Sequence, residues 1–330
     1  MKYRSLGNSG IKVSEIGFGT WTLGLDWWGK KLEEEESIRM LKHAYDLGIN
    51  FFETADMYGK GKSEKLLAKA FKDMRNEVIY STKWGYDMYN VEQIGHNEIP
   101  QKHTPEFLNF ALSESMKRLD TDFIDVYSLH NPKMDAIKND VLFDALDNLV
   151  KSEKIKGHGV ALGPAIGWKD EGIFAVENRN IISLQTVYNI LEQDPGRAFF
   201  ESINKHNNSP GIMVRVPDAS GVLTGKVDDK TVVKGNDHRS YRKKEWIIQA
   251  MQKIEKLKPF ADSRGWNITE LSIKYILSQR QVSVVLPTVT SIEEIDLFAN
   301  IADGKYLNND EKAQIEQMYE KNYYLPDLIA

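Results

Sequence analysis

Phe51-Phe52-Glu53-Thr54-Ala55-Asp56-Met57-Tyr58-Gly59 runs two aromatic residues into an acid and places a tyrosine five positions after that acid. The apolar pair reads as the end of a buried strand, and the residues behind it as the loop into which the strand opens. Two further stretches have the same form. Val78-Ile79-Tyr80-Ser81-Thr82-Lys83 ends an apolar run on a lysine, and Phe123-Ile124-Asp125-Val126-Tyr127-Ser128-Leu129-His130 ends one on a histidine. An acid, a phenol, an amine and an imidazole at successive strand ends suggest proton transfer more than packing.

Outward from these strand ends, β and α patterns alternate. Tyr3–Leu6 and Ile11–Val13 flank the turn-forming Gly7-Asn8-Ser9-Gly10, which predicts a small hairpin. Glu15–Thr20 is a first strand whose glycines permit close backbone approach. A helix follows over Glu33–Leu47, with Ile38, Leu41, Ala44 and Tyr45 on one stripe. Asn50–Glu53 is the second strand, a helix capped by Ser63 runs to Phe71, and Val78–Lys83 is the third strand. A helix opening on Thr104-Pro105 runs to about Leu119, and the fourth strand ends at His130. The pattern then repeats through Val141–Lys151, Lys154–Val160, Trp168–Glu177, Ile181–Thr186, Phe199–His206 and Gly211–Val216. Glu245–Ser263 and Thr269–Gln279 are helical, Val282–Leu286 is the eighth strand, and Ile292–Ile301 and Asn309–Tyr319 are the last helices.

This alternation predicts an α/β fold with a parallel sheet. A doubly wound sheet satisfies it too, but eight units with polar residues at several strand ends favour a closed (β/α)8 TIM barrel. The expected architecture adds an N-terminal hairpin and a C-terminal helical extension. No Pro/Gly/Ser-rich linker divides residues 1–330, so a single domain is the simpler expectation. Two long connections, Trp84 to His103 and Ala219–Arg242, fall at the end of the barrel where such loops cover substrate.

The formal net charge of −5 and the dispersed basic residues give no nucleic-acid face and no polybasic membrane patch. The absence of cysteine excludes disulfides, thiolate metal sites and a cysteine nucleophile, and fits a reducing cytoplasm. Met1-Lys2-Tyr3-Arg4-Ser5 does not lead into an apolar signal core, and no apolar run approaches a membrane-spanning length. No metal site is expected.

A phenol with a pKa of ~10 donates a proton poorly at neutral pH unless a cation stabilises its phenolate. Lys83 can supply that cation, Glu53 can hold the ammonium, and His130 can hydrogen-bond a carbonyl oxygen or share a proton relay. Each residue alone reads better as ordinary: an exposed tyrosine and lysine, an ion-paired glutamate, a satisfied buried histidine. Their joint placement at strand ends favours a site.

The sequence resembles the aldo-keto reductase superfamily, NAD(P)(H)-dependent carbonyl reductases on a TIM barrel. The resemblance is carried by Gly19-Thr20-Trp21, Glu53-Thr-Ala-Asp-Met-Tyr58-Gly, Ser81-Thr-Lys83-Trp and Asp125-Val-Tyr-Ser-Leu-His130-Asn-Pro. Gly157-His-Gly-Val160, Leu184-Gln185-Thr-Val-Tyr188-Asn, Ser220-Gly-Val-Leu-Thr-Gly-Lys226 and Leu286-Pro287 extend it over nearly the whole chain. It implies that the cofactor lies across the barrel mouth and that Tyr58, Lys83, His130 and Glu53 take the catalytic roles. Around the cofactor it places Gly19, Thr20, Trp21, Glu53, Gln185, Arg215, Val216 and Pro217. It adds Gly221, Leu223, Gly225 and Lys226 near the pyrophosphate, then Pro287, Thr288, Val289, Thr290 and Glu294. Trp21, Trp27, Trp28, Trp84 and Tyr86, with Tyr58 and His130, could line a substrate pocket, although several of the aromatics read better as core.

Departures from the family pattern stand at three places. Glu53 replaces aspartate, which keeps the charge and adds a methylene. Ala161-Leu162 replaces the serine-asparagine pair that grips the nicotinamide amide, so the side chains there neither donate nor accept. Arg215 occupies the place of an aromatic that stacks on nicotinamide; it could meet an anionic group, or merely pair with a neighbouring acid. After Pro287 the run Thr288-Val-Thr-Ser-Ile-Glu293-Glu294 carries acids and no base until Lys305, which leans the cofactor to NAD(H) over NADP(H). The same acids also suit the first turn of a helix. The expectation is a cytoplasmic oxidoreductase acting on a small carbonyl compound, alcohol or sugar. Its alternatives are a nicotinamide-binding sensor of the same fold with vestigial turnover, and a barrel isomerase or lyase.

Overall fold

The computed structural model describes residues 1–326 apart from 93, 95–96, 164–166, 207–208 and 234–236. Parts of both long connections therefore lie outside the described residues. An antiparallel hairpin, β1 (Tyr3–Ser5) and β2 (Lys12–Ser14), precedes an eight-stranded parallel sheet. Its strands are β3 (Phe18–Gly19), β4 (Phe51–Glu53), β5 (Ile79–Trp84), β6 (Val126–His130), β7 (His158–Ala161), β8 (Ser183–Val187), β9 (Gly211–Arg215) and β10 (Val282–Leu286), paired in chain order. The sheet closes where the segment before β3 meets β10: Gly17 donates to the Val285 carbonyl at 2.9 Å, and Val285 to that of Glu15 at 2.8 Å. Gly17 is needed there, since a Cβ would come within 2.8 Å of the Leu286 side chain. The expected first strand is thus mostly seam, with only Phe18–Gly19 in the ladder.

The hairpin seals the floor. Leu6 and Val13 pack with Phe51, Val126, Met213, Val284 and Leu286 inside the barrel. Arg4 fastens the hairpin to the last strand through the carbonyls of Leu277, Gln279 and Val282 and the carboxylate of Glu15. Because side chains alternate along a strand, the neighbours Phe52, Tyr80, Tyr127, Leu129, Leu184, Ile212 and Val214 face the helices and build the larger core between sheet and helices.

The helical shell follows the sequence pattern closely: Glu34–Asp46, Lys62–Ala70, Pro105–Leu119, Asp140–Lys151, Lys169–Asn178, Gly196–Lys205, Lys244–Ser263, Ile268–Leu277, Ile292–Ile301 and Asn309–Glu320. Thr104 caps the helix that opens on Pro105, accepting from the Phe107 amide. Ser63 is not a cap. Its helix begins at Lys62 behind Gly61, whose φ of 81° sets the turn, and the Ser63 hydroxyl instead donates 3.0 Å to the Thr20 carbonyl. The loop 219–242 carries short 3-10 turns at Ala219–Thr224 and His238–Tyr241. No helix among the described residues is long and apolar enough to cross a membrane.

Candidate active site

Strand alternation decides which residues reach the barrel mouth. Phe51, Val126 and Met213 face the interior, so Glu53, Ser128, His130 and Arg215, two or four positions on, face it as well. Register brings them level: Glu53 lies beside Ser81, Lys83 beside Ser128, His130 beside Ala161, and Ala161 beside Gln185. The mouth therefore holds a charged layer above a layer of buried serines, Ser81, Ser128 and Ser183, above the apolar floor.

Lys83 and Glu53 form a buried ion pair, 1% and 6% exposed in their side chains. The Lys83 ammonium also donates 2.6 Å to the Thr54 carbonyl, and Gln185 donates 2.9 Å to the same Glu53 oxygen that Lys83 engages. The extra methylene of glutamate thus carries the carboxylate across the mouth to β8. The half-buried Tyr58 ring lies with its centroid 4.7 Å from the Lys83 nitrogen and 6.0 Å from that of His130. Tyr86 packs edge-on against the other side of His130 at 5.1 Å. Asn131 donates 2.9 Å to the Tyr86 hydroxyl, and Gln101 donates to the carbonyls of both His130 and Asn131. Neither Gln101 nor Asn131 was expected as a site residue. A glutamine in a long connection gives no local signal that it will return to a strand end.

Burial dominates the electrostatics. It pushes the Tyr58 phenol well above its usual range, Glu53 raises it further, and Arg215 draws it back. The Lys83 ammonium is lowered by burial, against the opposing pull of Glu53. His130 is held well below the ordinary histidine value by burial and by the cations Lys83 and Arg215, so it is neutral at physiological pH. His103 is likewise pushed down, to about 4, by burial. The expected helper cation for Tyr58 was Lys83; the cation that draws the phenol down in the structure is Arg215. Its Nη2 donates 2.5 Å to the Leu162 carbonyl, so its contact is neither an acid nor an exposed surface.

The aromatic residues divide by the same alternation. Trp84 follows Lys83 and therefore faces outward: it is fully buried, stacked on Tyr127 at 6.0 Å and against Phe107. The expectation that Trp84 lines a pocket is corrected accordingly. Trp21 and Trp28 stay at the mouth, half-buried, edge to face at 5.4 Å. They meet the second long loop, where His238 packs on Trp21 at 6.0 Å and Arg239 lies over Trp28 at 4.9 Å. The His238 amide closes this contact on the Trp27 carbonyl at 2.6 Å.

The remaining residues singled out from sequence ring the same mouth. Gly19 registers with Glu53, and Thr20 donates its amide to the Glu53 carbonyl at 2.8 Å. Val216, Gly221 and Gly225 adopt positive φ, forming the turn between Pro217 and Lys226, with Leu223 buried beneath it. Pro287 and Val289 are buried behind β10, with Thr288 partly exposed between them. The Thr290 amide donates to Glu294, whose carboxylate also pairs with Lys226.

Buried polar atoms without partners among the described residues gather here: Thr20 Oγ1, Gln185 Oε1, His130 Nδ1 and Arg215 Nε. Such atoms cost free energy unless a ligand meets them. An acceptor on Gln185 and donors around it fit an amide-bearing ring such as nicotinamide. Among the described residues, no group of three or more potential metal ligands clusters.

Fold and site together define a parallel-barrel protein whose ionisable groups collect at the carboxyl-terminal mouth, where such barrels keep their chemistry. The family model for the Aldo/keto reductase family matches residues 15–320, and the chain belongs to that family. An uncharacterized oxidoreductase, YqkF of Bacillus subtilis, is 27% identical and is covered over 98% of both chains. A probable voltage-gated potassium channel subunit beta of Oryza sativa is 28% identical over 89% of each. Among solved structures, the holo form of aldo-keto reductase AKR11C1 from Bacillus halodurans superposes with a TM-score of 0.75, at 28% identity and 96% coverage of both chains. Family membership supports nicotinamide-dependent oxidoreduction of carbonyl compounds as the class of activity.

Proposed function

We propose that residues 1–330 act as one catalytic domain, in a reducing cytoplasm, that interconverts a small carbonyl compound and its alcohol with Tyr58 as the proton donor. The observation that carries this reading is the buried Lys83–Glu53 pair set against the Tyr58 ring, with neutral His130 on its other side. When bound, the dinucleotide supplies or accepts hydride. A carbonyl oxygen lying between Tyr58 and His130 takes a hydrogen bond from the imidazole and the proton from the phenol. The nascent phenolate is then met by Lys83 and Arg215, the lysine being held in place by Glu53 and the Thr54 carbonyl. Trp21 and Trp28 wall the substrate side. Gly221, Leu223, Gly225 and Lys226 would hold the pyrophosphate, and Gln185 would take over the amide grip that Ala161 and Leu162 lack.

NAD(H) fits better than NADP(H). Lys226 is paired with Glu294, and a 2′-phosphate would have to displace that carboxylate to use the cation. The test is Tyr58→Phe. Loss of aldehyde reduction by about 10²- to 10⁴-fold, with reduced-cofactor binding retained, supports the reading. Retained turnover overturns it. A regulatory reading draws support from the relatives named as probable channel β subunits. It predicts tight cofactor binding and no Tyr58-dependent turnover on any aldehyde or sugar.

A further inference from the structure

Arg215 brings to the barrel mouth a cation that forms no ion pair with an acid among the described residues. It faces inward on β9 and reaches over β8, because the Leu162 carbonyl that it engages follows β7. The carboxylate of the layer, Glu53, is already taken by Lys83 and Gln185. His130 is neutral, and the buried Arg215 Nε has no hydrogen-bond partner among the described residues. One positive charge is therefore left over in a confined, partly buried place, which is costly unless an anion arrives to meet it.

Its position says where that anion lies. Arg215 ends β9 on the inward face, two positions after Met213, as His130 ends β6 and Glu53 ends β4 on theirs, so the guanidinium shares the mouth with the groups that would hold a carbonyl oxygen. The pyrophosphate is a poor candidate, because the turn proposed to hold it lies beyond the strand end and carries its own cation, Lys226. An oxidised nicotinamide ring is itself positive and would be repelled. What fits is a carboxylate one bond from the reacting carbonyl, with the fork of donors that a guanidinium offers.

We infer that Arg215 anchors a substrate carboxylate and that the chain reduces 2-oxo acids to 2-hydroxy acids. This deepens the proposed function and rests on it. The C=O π bond opens: the carbon takes a hydride from the reduced dinucleotide, which is oxidised, and the oxygen takes the Tyr58 proton. The carboxylate is unchanged throughout.

Phenylglyoxylate and its methyl ester share a skeleton and differ in this charge, and mandelate and methyl mandelate are their product counterparts. With the full chain and reduced cofactor, kcat/KM for the acid should exceed that for the ester about 10- to 100-fold, mainly through KM. The preference should vanish in Arg215→Leu and return in part in Arg215→Lys. By calorimetry on the cofactor-loaded protein, mandelate should bind about 10-fold tighter than its ester in the parent and not in Arg215→Leu. Equal handling of acid and ester by the parent, or a preference that survives Arg215→Leu, overturns the inference. Ester reduction that depends on Tyr58 without acid preference sinks this inference and leaves the proposed function standing. If neither compound turns over, the proposed function is in question, and the mandelate binding comparison still decides the anchor.

Discussion

Gln185 donates a 2.9 Å hydrogen bond to the oxygen of Glu53 that also pairs with Lys83, so β4, β5 and β8 are tied through one buried atom. Converting Glu53 to glutamine leaves the Lys83 ammonium buried without its counter-charge. We expect Glu53→Gln to lose about 3 kcal/mol of stability in urea unfolding. Replacing both partners, as Glu53→Gln with Lys83→Met, should recover most of that loss, because the penalty arises from the orphaned charge. Additive losses would argue against a coupled pair.

Arg215 lowers the pKa of Tyr58, against burial and Glu53, which raise it. A proton donor works while protonated, so reduction fails as pH climbs through the phenol's pKa. Removing Arg215 raises that pKa. The alkaline limb of kcat/KM for a neutral aldehyde should therefore move to higher pH in Arg215→Leu. An unmoved or downward-shifted limb would show that Arg215 does not act on the phenol.

Lys226 and Glu294 hold each other in the free protein. Glu294→Gln releases the lysine and removes the nearby negative charge. The variant should tighten NADPH relative to NADH by about fivefold, read as the ratio of dissociation constants from tryptophan quenching. Lys226→Met should shift the ratio the other way. An unchanged ratio in both would place the 2′-hydroxyl elsewhere.

Asp218, buried at the start of the turn 219–224, is raised to about 6 by burial. Its unfolded carboxyl titrates near ~3.9, so between these values the folded state holds a proton that the unfolded state has lost. Its contribution to stability is full below that window, falls as pH rises through it, and stays low above. Asp218→Asn should therefore gain about 2 to 3 kcal/mol on the parent at pH 7, and the gain should disappear by about pH 4. A gain independent of pH would assign the effect to packing.

Sequence pattern alone located the strand ends that matter, because Glu53, Lys83 and His130 each interrupt an apolar run where polar side chains are otherwise costly. Period-two alternation was equally readable, and it separates Lys83 from Trp84, yet residue type drew Trp84 toward the pocket. Contacts made by chain return were not readable. Arg215 meeting Leu162, Gln101 meeting His130 and Lys226 meeting Glu294 each join segments with no local pattern in common. Ser63 shows the limit of local rules: a good capping residue was diverted to the Thr20 carbonyl by the tertiary approach of the first strand's loop.

The seam between the Glu15–Gly17 segment and Val285 joins the first barrel strand to the last, and Arg4 clasps the carbonyls of Leu277, Gln279 and Val282 across the same gap. A ribosome releasing this protein thus finishes the groups that would perform chemistry long before the ring that confines them. Until residue 286 emerges, Lys83 and Glu53 sit on an unclosed ribbon with water at its open edge. Nascent chains stalled before that point should resist neither protease nor denaturant, however complete their set of reactive side chains.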